Sequence, residues 1–263
     1  MFRENVLKKK LLAGDPALAF WLHLASPIAA EILSLVGYDG AVIDLEHGPM
    51  DYLCATALMQ AMAATPTSSI IRVPSNDPVE IKRALDTGVE GIMVPSVDTP
   101  EAAQAAVAAC HYPPRGIRGA AHILNRASSY GLESEAYLRD AEHELLVICQ
   151  IESLEAVANI EAISAVDGID MLFIGPVDLS GSAGGIGDFS NPVFVDALAR
   201  AERVIRESGK LMGGIPRPDV TPRDMFARGY DFVIASSDVL LLRNAALENL
   251  LESAPGDKNN GAR

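Results

Sequence analysis

The chain reads as a single (β/α)8 barrel, and three observations predict it. Short apolar runs of β type recur along its 263 residues. Each is followed by an Ala- and Leu-rich segment with helix punctuation, and no composition break divides the chain. The strand candidates are 17–24 ("ALAFWLHL"), 40–45 ("GAVIDL"), 68–74 ("SSIIRVP"), 91–97 ("GIMVPSV"), 145–152 ("LLVICQIE"), 170–176 ("DMLFIGP"), 210–216 ("KLMGGIP") and 231–237 ("DFVIASS"). They are apolar on both alternating faces, the pattern of a parallel sheet buried on both sides. Intervening segments such as "PIAAEILSLVG" and "DPVEIKRALDTG" open on Pro or Asp and stop at Gly, as helices do. Eight such units in this length fit a TIM-type barrel, with a doubly wound open sheet as the alternative arrangement. The barrel domain is assigned to 1–252. The polar tail 253–263, "SAPGDKNNGAR", is expected to be disordered. The longest irregular insertion, 111–143, is expected to serve function or assembly.

Composition narrows the partners. A formal charge of -14 argues against nucleic acid and anionic membrane surfaces, which need clustered Lys and Arg. An anionic small substrate fits only if local Arg residues or a metal override the global field. No stretch approaches the roughly 20 apolar residues of a membrane span, and no signal-peptide pattern opens the chain. Cys54, Cys110 and Cys149 lack CxxC spacing and sit in apolar surroundings; buried thiols in a reducing cytoplasm are expected.

Barrel enzymes carry their chemistry at the C-terminal strand ends. In "GAVIDLEHGPMD", strand 2 delivers Asp44, Glu46 and His47 there, and strand 3 ends on Arg72. Strand 5 ends on Gln150 and Glu152, which at i and i+2 share a face. Strand 6 runs into "GPVDLS", placing Asp178 just beyond it. Singly, Arg72 reads equally as an ion-pair partner and Glu152 as a helix-capping acid; together they describe one mouth with a base, a cation and carboxylates. Glu152 and Asp178 are hard oxygen ligands, suited with water to Mg²⁺ or Mn²⁺ rather than structural zinc. No lysine falls at a C-terminal strand end, so a Schiff base has no candidate, and carbonyl chemistry would need a metal Lewis acid. The Gly-rich "GSAGGIGD" lacks the Lys and spacing of a P-loop. "GGIP" after strand 7 supports a rival reading, a phosphate-binding barrel isomerase or decarboxylase. A non-catalytic binding barrel is the third possibility.

The motifs "DLEHGPMD", "IRVPSNDPVEIKRALDTGVEGIMVP", "YPPRGIRG", "QIES" and "FIGPVDLS" closely resemble the HpcH/HpaI aldolase/citrate lyase family, in its 4-hydroxy-2-oxoheptanedioate aldolase-like branch. The likeness covers roughly residues 15 to 250. It implies a (β/α)8 barrel and a divalent cation, Mg²⁺ or Mn²⁺ with Co²⁺ as a further candidate. It also implies class II cleavage of 4-hydroxy-2-oxo acids to pyruvate and an aldehyde, and a homohexamer exchanging the last helix. By motif, His47 matches the general base, Arg72 the enolate stabiliser, and Asp86 the acid that raises the histidine's basicity. Gln150 matches a substrate contact, Glu152 a metal ligand, and Asp178 a second ligand beside the substrate. Val177, commonly Ala in the family, touches the substrate carboxylate through its backbone and would tighten the pocket slightly. "AFWLHL" lacks the small Gly often found before its Trp.

His47 is thus expected to gain and lose a proton near neutral pH, as imidazole can. Asp44 is its nearer acid by sequence and Asp86 the family's; both stand. The resulting expectation is a cytoplasmic, metal-dependent pyruvate aldolase acting on a small 2-oxo acid and an aldehyde.

Overall fold

In the computed structural model, which describes residues 3–253, eight parallel strands close into a barrel in sequence order, β1 pairing with β8. They are β1 (Ala17–Leu22), β2 (Gly40–Asp44), β3 (Ser68–Arg72), β4 (Gly91–Val94), β5 (Leu146–Ile151), β6 (Met171–Ile174), β7 (Leu211–Gly214) and β8 (Phe232–Ser237). The single-domain (β/α)8 expectation holds, with every strand inside its expected segment. All but Ser253 of the tail assigned to 253–263 lies outside the described residues.

Twelve α-helices are described: α1 (Val6–Leu12), α2 (Pro27–Val36), α3 (Tyr52–Met62), α4 (Pro78–Asp86), α5 (Pro100–Cys110), α6 (Ser134–Glu144), α7 (Leu154–Ala158), α8 (Ile160–Ser164), α9 (Pro176–Ser182), α10 (Pro192–Ser208), α11 (Pro222–Ala227) and α12 (Asp238–Ser253). Pro opens α2, α4, α5, α9, α10 and α11, where its missing N–H has no intrahelical partner to lose. The side chains of Ser26, Asp77 and Thr99 accept hydrogen bonds from first-turn N–H groups of the helices they precede. The excursion after α5 is less irregular than expected, because Ser134–Glu144 is helical. That helix buries only Tyr137, so it carries little apolar stripe for a sequence reader to find.

Two apolar layers hold the barrel. The outer one packs helices on strands, and the inner one fills the barrel with Ala19, Val42, Ile70, Met93, Ile148, Phe173, Phe232 and their neighbours. Leu7 and Leu11 of α1 belong to this inner layer and close the N-terminal end. That plug leaves the C-terminal end as the open mouth. No described helix is long and apolar enough to cross a membrane.

Candidate active site

The pleat decides which polar residues enter the mouth. Val42, Ile70 and Ile148 fill the interior, so two residues further along each strand Asp44, Arg72 and Gln150 face the same way. Glu152 continues that face, and on β1 so does His23, two residues beyond Trp21.

Asp44 is the hub. It is fully buried, and Arg72 grips it with two charge-assisted hydrogen bonds, Nε to Oδ1 at 2.9 Å and Nη2 to Oδ2 at 2.7 Å. His23 Nε2 lies 2.9 Å from Oδ2. The backbone N–H groups of Glu46 and His47 donate to Oδ1 at 3.1 and 3.3 Å. Burial alone would raise the pKa of Asp44. The hydrogen bonds from His23 and Arg72, the guanidinium charge and the His47 amide outweigh burial and hold the carboxyl far below the usual carboxylate range. Gly48 lets the turn close: a Cβ there would collide with the carbonyl oxygen of Asp44.

Neither acid weighed for His47 meets its imidazole within the chain. Asp44 takes the His47 backbone, while its ring partner is His23. The His47 ring is 64% exposed, and the carboxylate nearest to it is Glu46, with Oε2 at 3.8 Å from Nε2. Asp86 sits at the other end of the barrel. It is the last residue of α4, and barrel helices run antiparallel to their strands, so α4 ends at the N-terminal face. There Asp86 Oδ1 accepts from Arg118 Nη2 at 2.8 Å and Asn125 Nδ2 at 2.9 Å.

Arg72 faces two carboxylates. Asp44 occupies Nε and one side of Nη2. Nη1 lies 2.9 Å from Glu46 Oε2, off the hydrogen-bonding direction, and the guanidinium stacks 4.4 Å over Trp21. The fork is therefore held by Asp44 and Trp21, with Nη1 beside Glu46 at the mouth.

Across the mouth, Glu152 accepts from Ser96 N at 2.8 Å and Gln150 Nε2 at 2.8 Å. Ser96, whose N–H makes this bond, has a left-handed backbone, φ 53°, a conformation uncommon for side-chain-bearing residues. Gly175 makes room: a Cβ on it would lie 2.8 Å from Glu152 Oε2. Burial raises the pKa of Glu152; the Ser96 amide opposes this, and the charges of Glu46 and Asp178 add to it. Glu46 is likewise raised by burial, with Arg72 and His47 opposing and Asp44 and Asp178 adding. Asp178, exposed in the first turn of α9 beside the half-exposed Val177, completes a group of carboxylates that repel one another. Gln150 Oε1 is buried without a hydrogen-bond partner. This all-oxygen, mutually repelling set fits a hard divalent cation. Among the described residues no three His, Cys, Asp or Glu side chains are grouped so as to hold a metal ion.

The remaining features lie elsewhere. Lys210 bonds the carbonyls of Val166 and Ile169, and Lys8 pairs with Asp170, both at the N-terminal end. The glycines of "GGIP" are packing residues: a Cβ on Gly213 would press on Phe173, and one on Gly214 on Tyr230. Cys110 and Cys149 are buried, with the Cys149 thiol pushed up to about 12 by burial; Cys54 is only partly buried, against expectation. A cavity of about 320 Å³ opens at the N-terminal face, between Arg3, Tyr112, Arg118 and Leu138, far from the strand ends that carry the mouth. His23, Ser96 and Asp238 are the mouth residues that motif reading missed.

The family model for HpcH/HpaI aldolase/citrate lyase matches residues 17–245. A hydroxypyruvate/pyruvate aldolase of Chromohalobacter salexigens is 39% identical over 242 residues, 92% of this chain and 95% of its own length. A 4-hydroxy-2-oxo-heptane-1,7-dioate aldolase of Escherichia coli is 39% identical over 243 residues, 92% of each chain. The crystal structure of a family member from Burkholderia cenocepacia superposes with a TM-score of 0.90 at 36% identity, covering 94% of this chain and 98% of the other. The barrel, the mouth and these likenesses agree: the chain belongs to the HpcH/HpaI aldolase/citrate lyase family and is a carbon–carbon lyase of the aldolase kind.

Proposed function

We propose that the protein is a class II pyruvate aldolase that cleaves 4-hydroxy-2-oxo acids to pyruvate and an aldehyde. The observation that carries this is the opposition in one mouth of a rigidly held Arg72 and the mutually repelling Glu46, Glu152 and Asp178. Glu152 and Asp178 would hold the divalent cation, Mg²⁺ or Mn²⁺, which when bound supplies Lewis-acid polarisation of the 2-oxo group. His47, exposed and free of a fixed acid, takes the 4-hydroxyl proton as the C3–C4 bond breaks. The guanidinium of Arg72 stabilises the negative charge that develops on the pyruvate enolate oxygen. Protonation of the enolate carbon gives pyruvate. Gln150 and the backbone of Val177 orient the 2-oxo acid. Asp86 could aid His47 only across a subunit boundary, because within one chain it lies at the opposite face. The exposed Leu240, Leu242, Leu247, Leu250 and Leu251 of α12 support a homohexamer built on that helix.

A panel of aldehydes offered with pyruvate and Mg²⁺ or Mn²⁺ tests the reading. Metal-dependent formation of 4-hydroxy-2-oxo acids is expected with at least one aldehyde. Failure across the panel, in protein that binds the metal, would refute it.

A further inference from the structure

His23 is absent from the chemistry described above, yet it stands at the centre of the mouth's hydrogen bonding. Its Nε2 lies 2.9 Å from Asp44 Oδ2, and its ring centroid is 6.0 Å from that of Trp21. Its Nδ1 is buried without a hydrogen-bond partner, 3.9 Å from Oδ1 of Asp238. Asp238, itself buried, accepts from the backbone N–H groups of His23, Leu24 and Val239 at 2.8–3.1 Å. The end of β1 is thereby tied to the start of α12, and the imidazole is fixed between two carboxylates from β2 and α12. Neither ring nitrogen is open to a substrate, so His23 is not a base in this reaction.

We infer that His23 is a positioning residue, locking Asp44 and, through it, both Arg72 and the turn that carries His47. Asp44 is ionised and can only accept, so Nε2 donates to it. Asp44 Oδ1 holds Arg72 Nε and the amides of Glu46 and His47, while Oδ2 holds Arg72 Nη2 and His23. His23 is the only side chain besides Arg72 that fixes this carboxylate among its hydrogen bonds and ion pairs in the described residues. Arg72 approaches from β3; His23 approaches from β1, the opposite neighbour of β2. Without it the carboxylate could rotate with Arg72, carrying the guanidinium off its Trp21 stack and slackening the 46–47 turn. A misplacement of about 1 Å in such groups can cost on the order of 10²-fold in rate.

The inference rests on the aldolase reading for its kinetic arm alone; hydrogen exchange supplies a second arm that needs no turnover. His23→Leu removes the donor, while His23→Gln can place an amide N–H where Nε2 now sits. In His23→Leu the amides of Glu46 and His47 should exchange about tenfold faster or more, with exchange in the strands unchanged. Turnover should fall by about 10–10²-fold, with pyruvate KM changing far less. Both effects should be largely reversed in His23→Gln. The turnover loss should also fail to add to that of Arg72→Lys, because the two act through one carboxylate. Should His23→Leu not fold, His23→Asn, too short to reach Asp44, takes its place. Unchanged exchange at residues 46–47 in the donor-less variant overturns the inference, as does equal damage in His23→Gln. If the wild type shows no aldol activity, the functional reading fails, and the exchange result alone decides the role of His23.

Discussion

Replacing Arg72 by Lys keeps the charge and removes the fork, which makes it the sharpest probe of the mouth. Arg72 is 7% exposed and gives fully buried Asp44 two hydrogen bonds, at 2.9 and 2.7 Å, while its plane stacks on Trp21 at 4.4 Å. A lysine ammonium can restore one of the two contacts with Asp44, but neither the second nor the flat stack. One charge-assisted hydrogen bond to a buried carboxylate is worth about 1.5–3 kcal/mol, and a partly desolvated cation–π contact about 1 kcal/mol. The variant should therefore lose about 2–4 kcal/mol of stability, read as a lower urea midpoint with unchanged slope. Turnover should fall further than stability explains. The Nη1 edge that faces the developing enolate would also be gone, a loss of about 10²–10³-fold. Steady-state cleavage at a temperature where both proteins are fully folded separates the two effects. Turnover within a few-fold of wild type would show that Arg72 only anchors Asp44, and the enolate role would have to pass to another group.

Glu152→Gln should abolish metal binding while stabilising the metal-free protein by about 1 kcal/mol, or roughly 2–4 °C in Tm; a flip of Gln150 would offer its unpartnered Oε1 to the new amide. A carboxyl whose folded pKa is raised destabilises the fold once ionised, so this advantage should grow as pH rises from about 4.5, the ordinary value for Glu, through the raised folded value, and calorimetry should show no gap below it. His47→Ala should cut cleavage by about 10²–10⁴-fold while metal-dependent pyruvate binding persists, and loss of both together would make His47 a structural residue. Borohydride with pyruvate should leave no covalent adduct by mass spectrometry, and a chelator should stop a turnover that added divalent metal restores; a trapped lysine would overturn the metal-dependent mechanism.

The barrel was legible because each strand is a short apolar run bounded by helix punctuation, and both signals are local. The mouth was legible at Asp44, Arg72, Gln150, Glu152 and Asp178 because strand ends and period-two alternation fix direction without tertiary knowledge. His23 obeys the same alternation from Ala19 and Trp21, and was passed over because its neighbours are apolar; at a strand end such a setting marks burial with a partner. Ser96 depends on a positive φ, which its sequence does not announce. Asp86 is a different case. Motif matching supplies a role without a place, and the antiparallel run of barrel helices puts the end of α4 at the face opposite the mouth. The length of α6 was hidden because its only buried side chain is Tyr137.

The charges of the mouth also explain how a chain of net charge -14 could serve an anionic substrate. Asp44 and Arg72 are committed to each other, so their fields largely cancel beyond a few ångströms. Glu46 lies 2.9 Å from the same guanidinium and, with Glu152 and Asp178, leaves the patch net negative; burial with mutual repulsion already lifts the pKa values of Glu46 and Glu152. A 2-oxo acid approaching these carboxylates alone meets only like charge at close range. A divalent cation on Glu152 and Asp178 would offset the charges of its two ligands and relieve the repulsion between them. The carboxylates that favour the cation are thus the ones that exclude the anion without it. On the proposed metal site the expected order of binding is therefore cation before 2-oxo acid, because the cation removes repulsion that the anion would otherwise meet.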